Sequence, residues 1–111
     1  MHWLATLFAV ALEVVAGFPA SAQGTFSTQA AKGRAFALET CTPCHVVARG
    51  QRSPARFATG PSFNRIANTP GMTETALQAF LSSPHPTMPN LILSPSERRE
   101  VISYIASLRT R

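Results

Sequence analysis

The apolar and polar positions divide the chain into an apolar first segment and a longer part with helical spacing. Residues 3–18 are almost all apolar, whereas apolar residues in 28–111 recur at intervals of three and four, which is typical of amphipathic helices. No stretch alternates as a half-buried strand does, and residues 23–27 are predicted to be a flexible lead-in. The pattern predicts an all-α fold of three to four short helices joined by long loops. The predicted helices cover 28–40, 63–67, 74–82 and 94–109.

Residue types at the predicted helix ends support these bounds. Thr73 is a suitable N-cap for the third helix, because its hydroxyl can accept a hydrogen bond from an N–H group of the first turn. Ser94, Pro95 and Glu97 have the order of a capping box at the start of the last helix. The prolines of 84–89 cannot lie inside a regular helix, because proline has no backbone N–H. An irregular segment is therefore predicted before the last helix.

Residues 1–22 have the pattern of a secretory signal peptide. Their apolar run, 3–18, is followed by small residues that end at Ala22, as a signal-peptidase cleavage site requires. We expect cleavage after Ala22, which leaves 23–111 as the folded domain in an oxidising compartment, the bacterial periplasm. Glu13 inside the run and the lack of Lys and Arg before it depart from the pattern. An uncleaved membrane anchor at 3–18 and a buried N-terminal helix therefore stay open as alternatives.

Length and composition narrow the classes of function. A chain of 111 residues allows one small domain and excludes a two-domain enzyme, and two cysteines exclude a multi-disulfide scaffold. Ten Lys and Arg against five Asp and Glu give a net charge of +5, which permits acidic partners. No nucleic-acid-binding motif accompanies that charge, so nucleic acid is not predicted as a partner. Long loops in so small a domain predict a central group for the chain to surround.

The segment Cys41-Thr42-Pro43-Cys44-His45 carries the strongest chemical signal. Its C-x-x-C-H spacing is the signature of covalent c-type haem attachment. The thiols of Cys41 and Cys44 can add to the two vinyl groups of one porphyrin, and His45 can then reach the iron. A redox dithiol lacks its βαβ context, and a zinc site lacks a further ligand other than the distant His85. A plain disulfide between the two cysteines is the remaining alternative to one covalent haem per chain.

The second axial ligand of the iron decides between an electron carrier and a ligand-binding haem protein. Met88 is favoured, because the prolines of 84–89 stiffen its segment and can hold the thioether in place with little rearrangement. Met72 is expected to be a packing residue instead. His85 is a further candidate ligand, or a loop residue near the haem edge, and an iron with an open sixth position also stays possible.

The order of these landmarks resembles the small class I cytochromes c over residues 28–109. Gly33 lies eight residues before the first cysteine of the motif, in the helix that crosses the C-terminal helix in that family. Gly60-Pro61-Ser62-Phe63 is similar to the family's Gly-Pro-x-Leu element, and Met88-Pro89 is similar to its distal methionine loop. The resemblance implies a cytochrome c fold in which the N- and C-terminal helices cross around one covalently bound haem.

The resemblance also implies two supporting residues and leaves two departures. By that likeness the Pro61 carbonyl accepts a hydrogen bond from His45, and Phe63 packs on the macrocycle. The family often has an aromatic residue four positions before the first cysteine, where this chain has Ala37, so the helix crossing is expected to be packed differently. The lysine ring of the mitochondrial members is missing, since Lys32 is the only lysine.

The ligand set and the resemblance predict one-electron transfer and no catalysis, because two protein ligands leave the iron no open position. We expect a monomeric periplasmic carrier between respiratory or dehydrogenase partners, which meets membranes only transiently through them. Arg49, Arg52 and Arg56 are candidates for steering acidic docking surfaces, and a solvated loop that only aids solubility is the alternative. A haem sensor and a small peroxidase-like enzyme also stay open, and each needs an open distal site.

Overall fold

Four α-helices make up the described part of the chain. The structure is a computed structural model that describes residues 21–51, 60–84, 88 and 91–111. Within those residues every regular element is a helix and no strand is present, so the predicted all-α fold is confirmed. The helices are α1 (Ser21–Thr40), α2 (Phe63–Ala67), α3 (Glu74–Ser82) and α4 (Pro95–Ser107).

The starts of the last three helices agree with the pattern of apolar residues and caps. α2 and α3 have the predicted bounds. The Thr73 hydroxyl accepts a hydrogen bond from the Ala76 N–H at 3.1 Å, so the predicted cap of α3 is present. The Ser62 hydroxyl caps the short α2 in the same way, by accepting from the Arg65 N–H at 3.2 Å.

A complete capping box begins α4. The Ser94 N–H donates to Glu97 Oε2 at 2.7 Å, and the Glu97 N–H donates to the Ser94 hydroxyl at 3.3 Å. Hydrogen bonds from the Ser94 side chain and backbone hold the pKa of the Glu97 carboxyl below its ordinary value. Pro95 occupies the first turn, where its missing N–H costs no bond. The helix ends at Ser107 with Leu108 as its C-cap, two residues before the predicted end.

The beginning of α1 differs from the prediction. The helix starts at Ser21, so the expectation of a flexible lead-in over 23–27 is wrong. The Ser27 and Thr28 hydroxyls donate to the Gly24 carbonyl inside the helix, at 3.1 and 2.9 Å, and cap nothing. Extending an existing helix costs far less free energy than starting one, so these weak helix formers continue α1 backwards from its alanine-rich part.

The predicted signal peptide and the alternative membrane anchor both involve the chain before α1. Residues 1–20 lie outside the described residues, so cleavage after Ala22 and the alternative anchor at 3–18 stay predictions. Among the helices that the structure describes, none has the length and hydropathy needed to cross a bilayer.

The helices α1 and α4 cross with their backbones in direct contact at Gly33. A Cβ atom on Gly33 would collide with the Glu100 carbonyl and would lie 2.8 Å from the Val101 nitrogen. One turn further along the same face of α1, Ala37 is completely buried. A small side chain at position 37, where the resemblance leads us to expect an aromatic one, leaves room for this close approach.

The hydrophobic core lies between α4 and the other elements. The middle of α4, residues 101–105, is buried on all sides, and the helix packs against α1, α2 and α3. Half-buried Cys41 and Met72 pack against this core from its edge. The buried core residues are Ala37, Val47, Phe63, Ala67, Leu77, Val101, Ile102, Tyr104 and Ile105.

The end of the chain is bonded to the turn between α2 and α3. The Thr110 N–H and hydroxyl donate to Asn68 Oδ1 at 2.8 and 2.7 Å, and Asn68 Nδ2 donates to the Leu108 carbonyl at 3.3 Å. The Arg109 guanidinium donates to the Met72 carbonyl at 2.8 Å. These bonds fix the backbone of Met72 to the end of α4.

Replacing Gly33 by Ala is expected to destabilise the protein, because the added methyl group cannot fit against the α4 backbone. Overpacking of this kind costs about 1–3 kcal/mol of the free energy of unfolding, or more where rigid backbone is the obstacle. Chemical denaturation of the purified protein measures this loss. Gly24→Ala is the matched control, since it lies in the same helix and a Cβ atom there meets nothing within 4 Å. Equal stability of the two variants would contradict the crossing described above.

Candidate functional site

The C-x-x-C-H motif continues directly from the end of α1. The Cys41 N–H donates to the Ala37 carbonyl at 2.8 Å, and the His45 N–H donates to the Cys41 carbonyl at 2.9 Å. The Cys44 N–H donates to the same Cys41 carbonyl at 3.2 Å. The motif therefore forms a compact turn, which places both thiols and the imidazole on the wall of one cavity.

The imidazole of His45 is held by the Pro61 carbonyl. Its Nδ1 lies 2.7 Å from the Pro61 oxygen. A carbonyl oxygen can only accept a hydrogen bond, so Nδ1 carries the proton of this bond and Nε2 of the neutral ring keeps its lone pair. The half-buried ring is thus oriented with Nε2 available to a metal.

The backbone of Gly60 lies directly against the same imidazole. A Cβ atom at this position would collide with ring atoms of His45, among them Nδ1. The Gly60 N–H also donates to the Cys44 carbonyl at 3.1 Å, which joins this loop to the motif. Only a residue without a side chain permits the bond and the close approach together.

An aromatic stack supports the imidazole from the core side. Phe63 is buried and meets His45 edge to face, with ring centroids 5.5 Å apart. Tyr104 of α4 lies behind it, with its centroid 6.3 Å from that of Phe63. The Phe63 N–H donates to the Val46 carbonyl at 2.9 Å, so the start of α2 is bonded to the chain just after His45.

These elements enclose a cavity of about 390 Å³ with a largely apolar lining. Its volume lies within the range of about 300–1,000 Å³ that is typical of sites for organic ligands. Beyond the motif and its loop, α2, α3, α4 and the segment before α4 all contribute to its wall. The lining residues are Cys41, Cys44, His45, Gly60, Pro61, Phe63, Arg65, Ile66, Thr69, Met72, Leu77, Phe80, Leu81, Met88, Leu91, Leu93, Val101 and Ile105.

Both cysteines are free thiols in this structure. Burial, assisted by the charge of the neighbouring Cys44, raises the pKa of the Cys41 thiol to about 11. The thiolate is the form that reacts to give a disulfide, so a raised pKa disfavours closure of a Cys41–Cys44 bond at neutral pH.

Both candidate methionines line the cavity. Met88 is half-buried and belongs to the segment between α3 and α4. Met72 is also half-buried, packs against the core, and has its backbone tied to the end of α4. The other candidate ligand, His85, and the proline after Met88 lie outside the described residues.

Of the three candidate docking arginines, the structure describes one. Arg49 is exposed in the turn after the motif, whereas Arg52 and Arg56 lie outside the described residues. Within 21–51, 60–84, 88 and 91–111, no three His, Cys, Asp or Glu side chains group together as ligands of a metal ion.

The comparison with known proteins decides the family. The chain is similar to cytochrome c-552 of Bradyrhizobium diazoefficiens, with 36% identity over 96 residues, which cover 86% of this chain and 90% of that protein. This chain belongs to the class I c-type cytochromes. The cytochrome is an electron-transfer protein with covalently bound haem c, whose iron is its redox centre. No family model matches the chain, and no solved structure matches it.

The described residues of this cytochrome fit a covalently bound haem. Two thiols and an imidazole with an available Nε2 lie on one wall of the cavity, and most of the remaining wall is apolar, as a porphyrin requires. Arg65 is the only Arg, Lys, Asp or Glu side chain among the described lining residues. It offers a positive charge to the carboxylates that a haem carries.

Two features of the site were not found from the sequence. Gly60 and His45 belong to different loops, so their contact has no local pattern in the sequence. Only the adjacent Pro61 indicated that the two loops meet. The buried hydrogen bond from the Tyr104 hydroxyl to the Val47 carbonyl, 2.9 Å long, joins residues that are 57 positions apart. No local pattern indicates such a pair.

Replacing Gly60 by Ala is expected to displace the His45 ring, because a methyl group cannot share its space. We expect a marked loss of haem-loaded cytochrome and a larger high-spin fraction in its absorption spectrum. The control is Gly24→Ala, in which the new methyl group points into open space and both properties should stay those of the wild type. A Gly60→Ala protein with the wild-type yield and spectrum would contradict the role of this close approach.

Proposed function

We propose that this cytochrome is a periplasmic one-electron carrier in which His45 and Met88 are the axial ligands of the haem iron. In this proposal Cys41 and Cys44 hold the single haem through thioether bonds. Pro61 orients the proximal imidazole, and Phe63 covers the macrocycle.

The bond between His45 Nδ1 and the Pro61 carbonyl carries the proposal. It commits the proton of the imidazole to Nδ1 and leaves Nε2 as the donor to iron. A hydrogen bond to a carbonyl also makes a histidine ligand more basic and fixes its ring orientation. Both thiols line the same cavity, which is the arrangement that covalent attachment beside a proximal histidine needs.

Two arguments favour Met88 over Met72 as the second ligand, although both side chains line the cavity and are half-buried. The prolines of 84–89 in the sequence are expected to stiffen the segment that carries Met88. Met72 already packs against the core, and Arg109 and Thr69 hold its backbone at both polar groups.

The environment suits electron transfer more than substrate chemistry. When bound, the haem supplies an iron that alternates between the ferrous and ferric states by one electron. Ligation by His and Met and an apolar surrounding both favour the ferrous state and raise the reduction potential. The apolar side chains that α3 and α4 contribute to the wall would replace water around a bound haem, so little would have to rearrange when the charge of the site changes.

The proposed location is the periplasm, after removal of residues 1–22. The argument rests on the apolar run at 3–18 and the small residues before the proposed cleavage site. Covalent haem attachment through two thiols also suits a compartment outside the cytoplasm, where the free cysteines would otherwise oxidise. We propose a monomer that meets membranes only through its redox partners.

Replacing Met88 by Ala is expected to abolish the weak far-red absorption band that a thioether ligand gives to ferric haem. Met72→Ala is the matched control, because it removes the other methionine of the cavity wall, and the band should persist. The measurement is the absorption spectrum of the purified ferric protein. The reverse outcome would make Met72 the ligand.

The same samples test the alternative of a ligand-binding haem protein. Wild-type ferrous protein is expected not to bind carbon monoxide at neutral pH, because both axial positions are filled. The Met88→Ala variant is expected to bind it. Rapid binding by the wild type would count against the carrier and in favour of a sensor.

We also propose that Arg49, which is exposed in the turn after the haem motif, docks acidic redox partners together with Arg52 and Arg56, which follow it in the sequence. Arg49→Gln is expected to slow oxidation of the ferrous protein by an anionic reagent such as hexacyanoferrate(III) at low salt. The effect should disappear at high salt, where the charge is screened. The control is Lys32→Gln, which removes an exposed cation from α1. If the stopped-flow rates fall equally in both variants, the effect comes from the net charge and not from the position of Arg49.

A further inference from the structure

The turn after the haem motif, residues 46–51, is closed by bonds within itself and to α2. The Gln51 side-chain oxygen accepts from the N–H groups of Val47 and of the residue after it, at 2.9 and 3.1 Å. The Val46 carbonyl accepts from the Phe63 N–H at 2.9 Å. The turn begins directly after His45, so any shift of it moves the backbone that carries the imidazole.

α4 reaches the same turn through one side chain. The Tyr104 hydroxyl donates to the Val47 carbonyl at 2.9 Å. Both residues are buried, with 5% of Tyr104 and 1% of Val47 exposed, so water cannot replace the hydroxyl easily. Val47 lies two residues after His45, and the bond therefore connects α4 to the chain beside the imidazole.

The ring of Tyr104 acts on the same imidazole by a second route. It packs against Phe63 at a centroid distance of 6.3 Å, and Phe63 packs edge to face on His45 at 5.5 Å. The aromatic contacts depend on the ring alone, whereas the bond to Val47 depends on the hydroxyl. A single-atom change can separate the two.

We propose that the Tyr104 hydroxyl is a positioning group for His45, which holds the Val47 carbonyl so that Nδ1–H keeps its bond to the Pro61 carbonyl. The inference rests on the proposed function, in which His45 binds the haem iron. A hydrogen bond at Nδ1 raises the basicity of a histidine ligand, and a more basic ligand stabilises ferric iron. Loss of the hydroxyl therefore weakens the Nδ1 bond and raises the reduction potential.

Tyr104→Phe isolates this effect. The variant keeps the ring, its volume and its contact with Phe63, and it removes only the donor to Val47. A buried carbonyl without a donor is unfavourable, so the turn shifts toward another donor or toward water. That shift passes to His45 through two residues of backbone.

The test is the exchange of the His45 Nδ1 proton with solvent, followed by NMR on the ferrous, haem-loaded protein. In Tyr104→Phe we expect exchange at least tenfold faster than in the wild type, while the amide protons of α1 keep their rates. Voltammetry of the same sample should give a higher reduction potential. Gln51→Met opens the same turn from its other side and is expected to change both readouts in the same direction.

Ser103→Ala is the matched control. Ser103 is the buried neighbour of Tyr104 on α4, and its hydroxyl donates to Gln29 on α1 at 3.3 Å. Its loss weakens the packing of α4 but does not touch the turn, so the exchange of the His45 proton and the potential should stay those of the wild type. Wild-type values in Tyr104→Phe, or equal changes in Ser103→Ala, would overturn the inference.

The NMR spectrum of the wild-type protein alone tests the proposed function. If His45 is an axial ligand, its ring protons are shifted strongly upfield by the ring current of the ferrous haem. Absence of that shift would refute the ligand assignment whatever Tyr104→Phe does. A wild type with the shift, together with an unchanged Tyr104→Phe protein, would refute only the positioning role.

Discussion

The hydrogen bond from His45 Nδ1 to the Pro61 carbonyl joins the two loops on which the site is built. It connects the turn at the end of α1 with the loop that leads into α2, and it leaves Nε2 as the nitrogen of the imidazole whose lone pair can bind a metal. The surrounding structure is arranged to preserve it. Gly60 leaves space for the ring, and Phe63 covers its inner side. Displacing either loop would change the orientation of the His45 ring and would break the bond that keeps its proton on Nδ1.

Two glycines each allow a close contact that a larger residue would prevent, one between helices and one at the haem site. Gly33 lets the backbones of α1 and α4 touch, which determines how the first and last helices cross. Gly60 lets a loop backbone touch the His45 ring, which determines where the ligand lies. Both glycines are required because a Cβ atom has no space, so substitution at either is expected to act through steric collision. The first acts on the stability of the whole fold and the second on the haem site.

α4 takes part both in the packing of the helices and in the haem site. It packs against each of the other three helices, and it contributes Val101 and Ile105 to the cavity wall. Its Tyr104 reaches the turn beside the motif, and the residues after it hold the turn between α2 and α3. A chain this short can bury only a modest core, and Val101 and Ile105 belong both to that core and to the cavity wall. Stability and haem binding therefore depend on the same helix.

Local chemistry in the sequence was enough to predict the helices that begin at capping residues, because the Thr73 and Ser94 caps use bonds within one turn. The C-x-x-C-H motif likewise indicated a covalent haem, since all of its reacting groups lie within five residues. The length of α1 was missed, because continuing a helix depends on the helix already formed and less on the residues added. Only the tertiary structure decided which distant groups meet: Gly33 with the α4 backbone, Gly60 with His45, and the Tyr104 hydroxyl with the Val47 carbonyl. These contacts join residues with no sequence periodicity in common, and they form only when the packing of whole helices brings the backbones together.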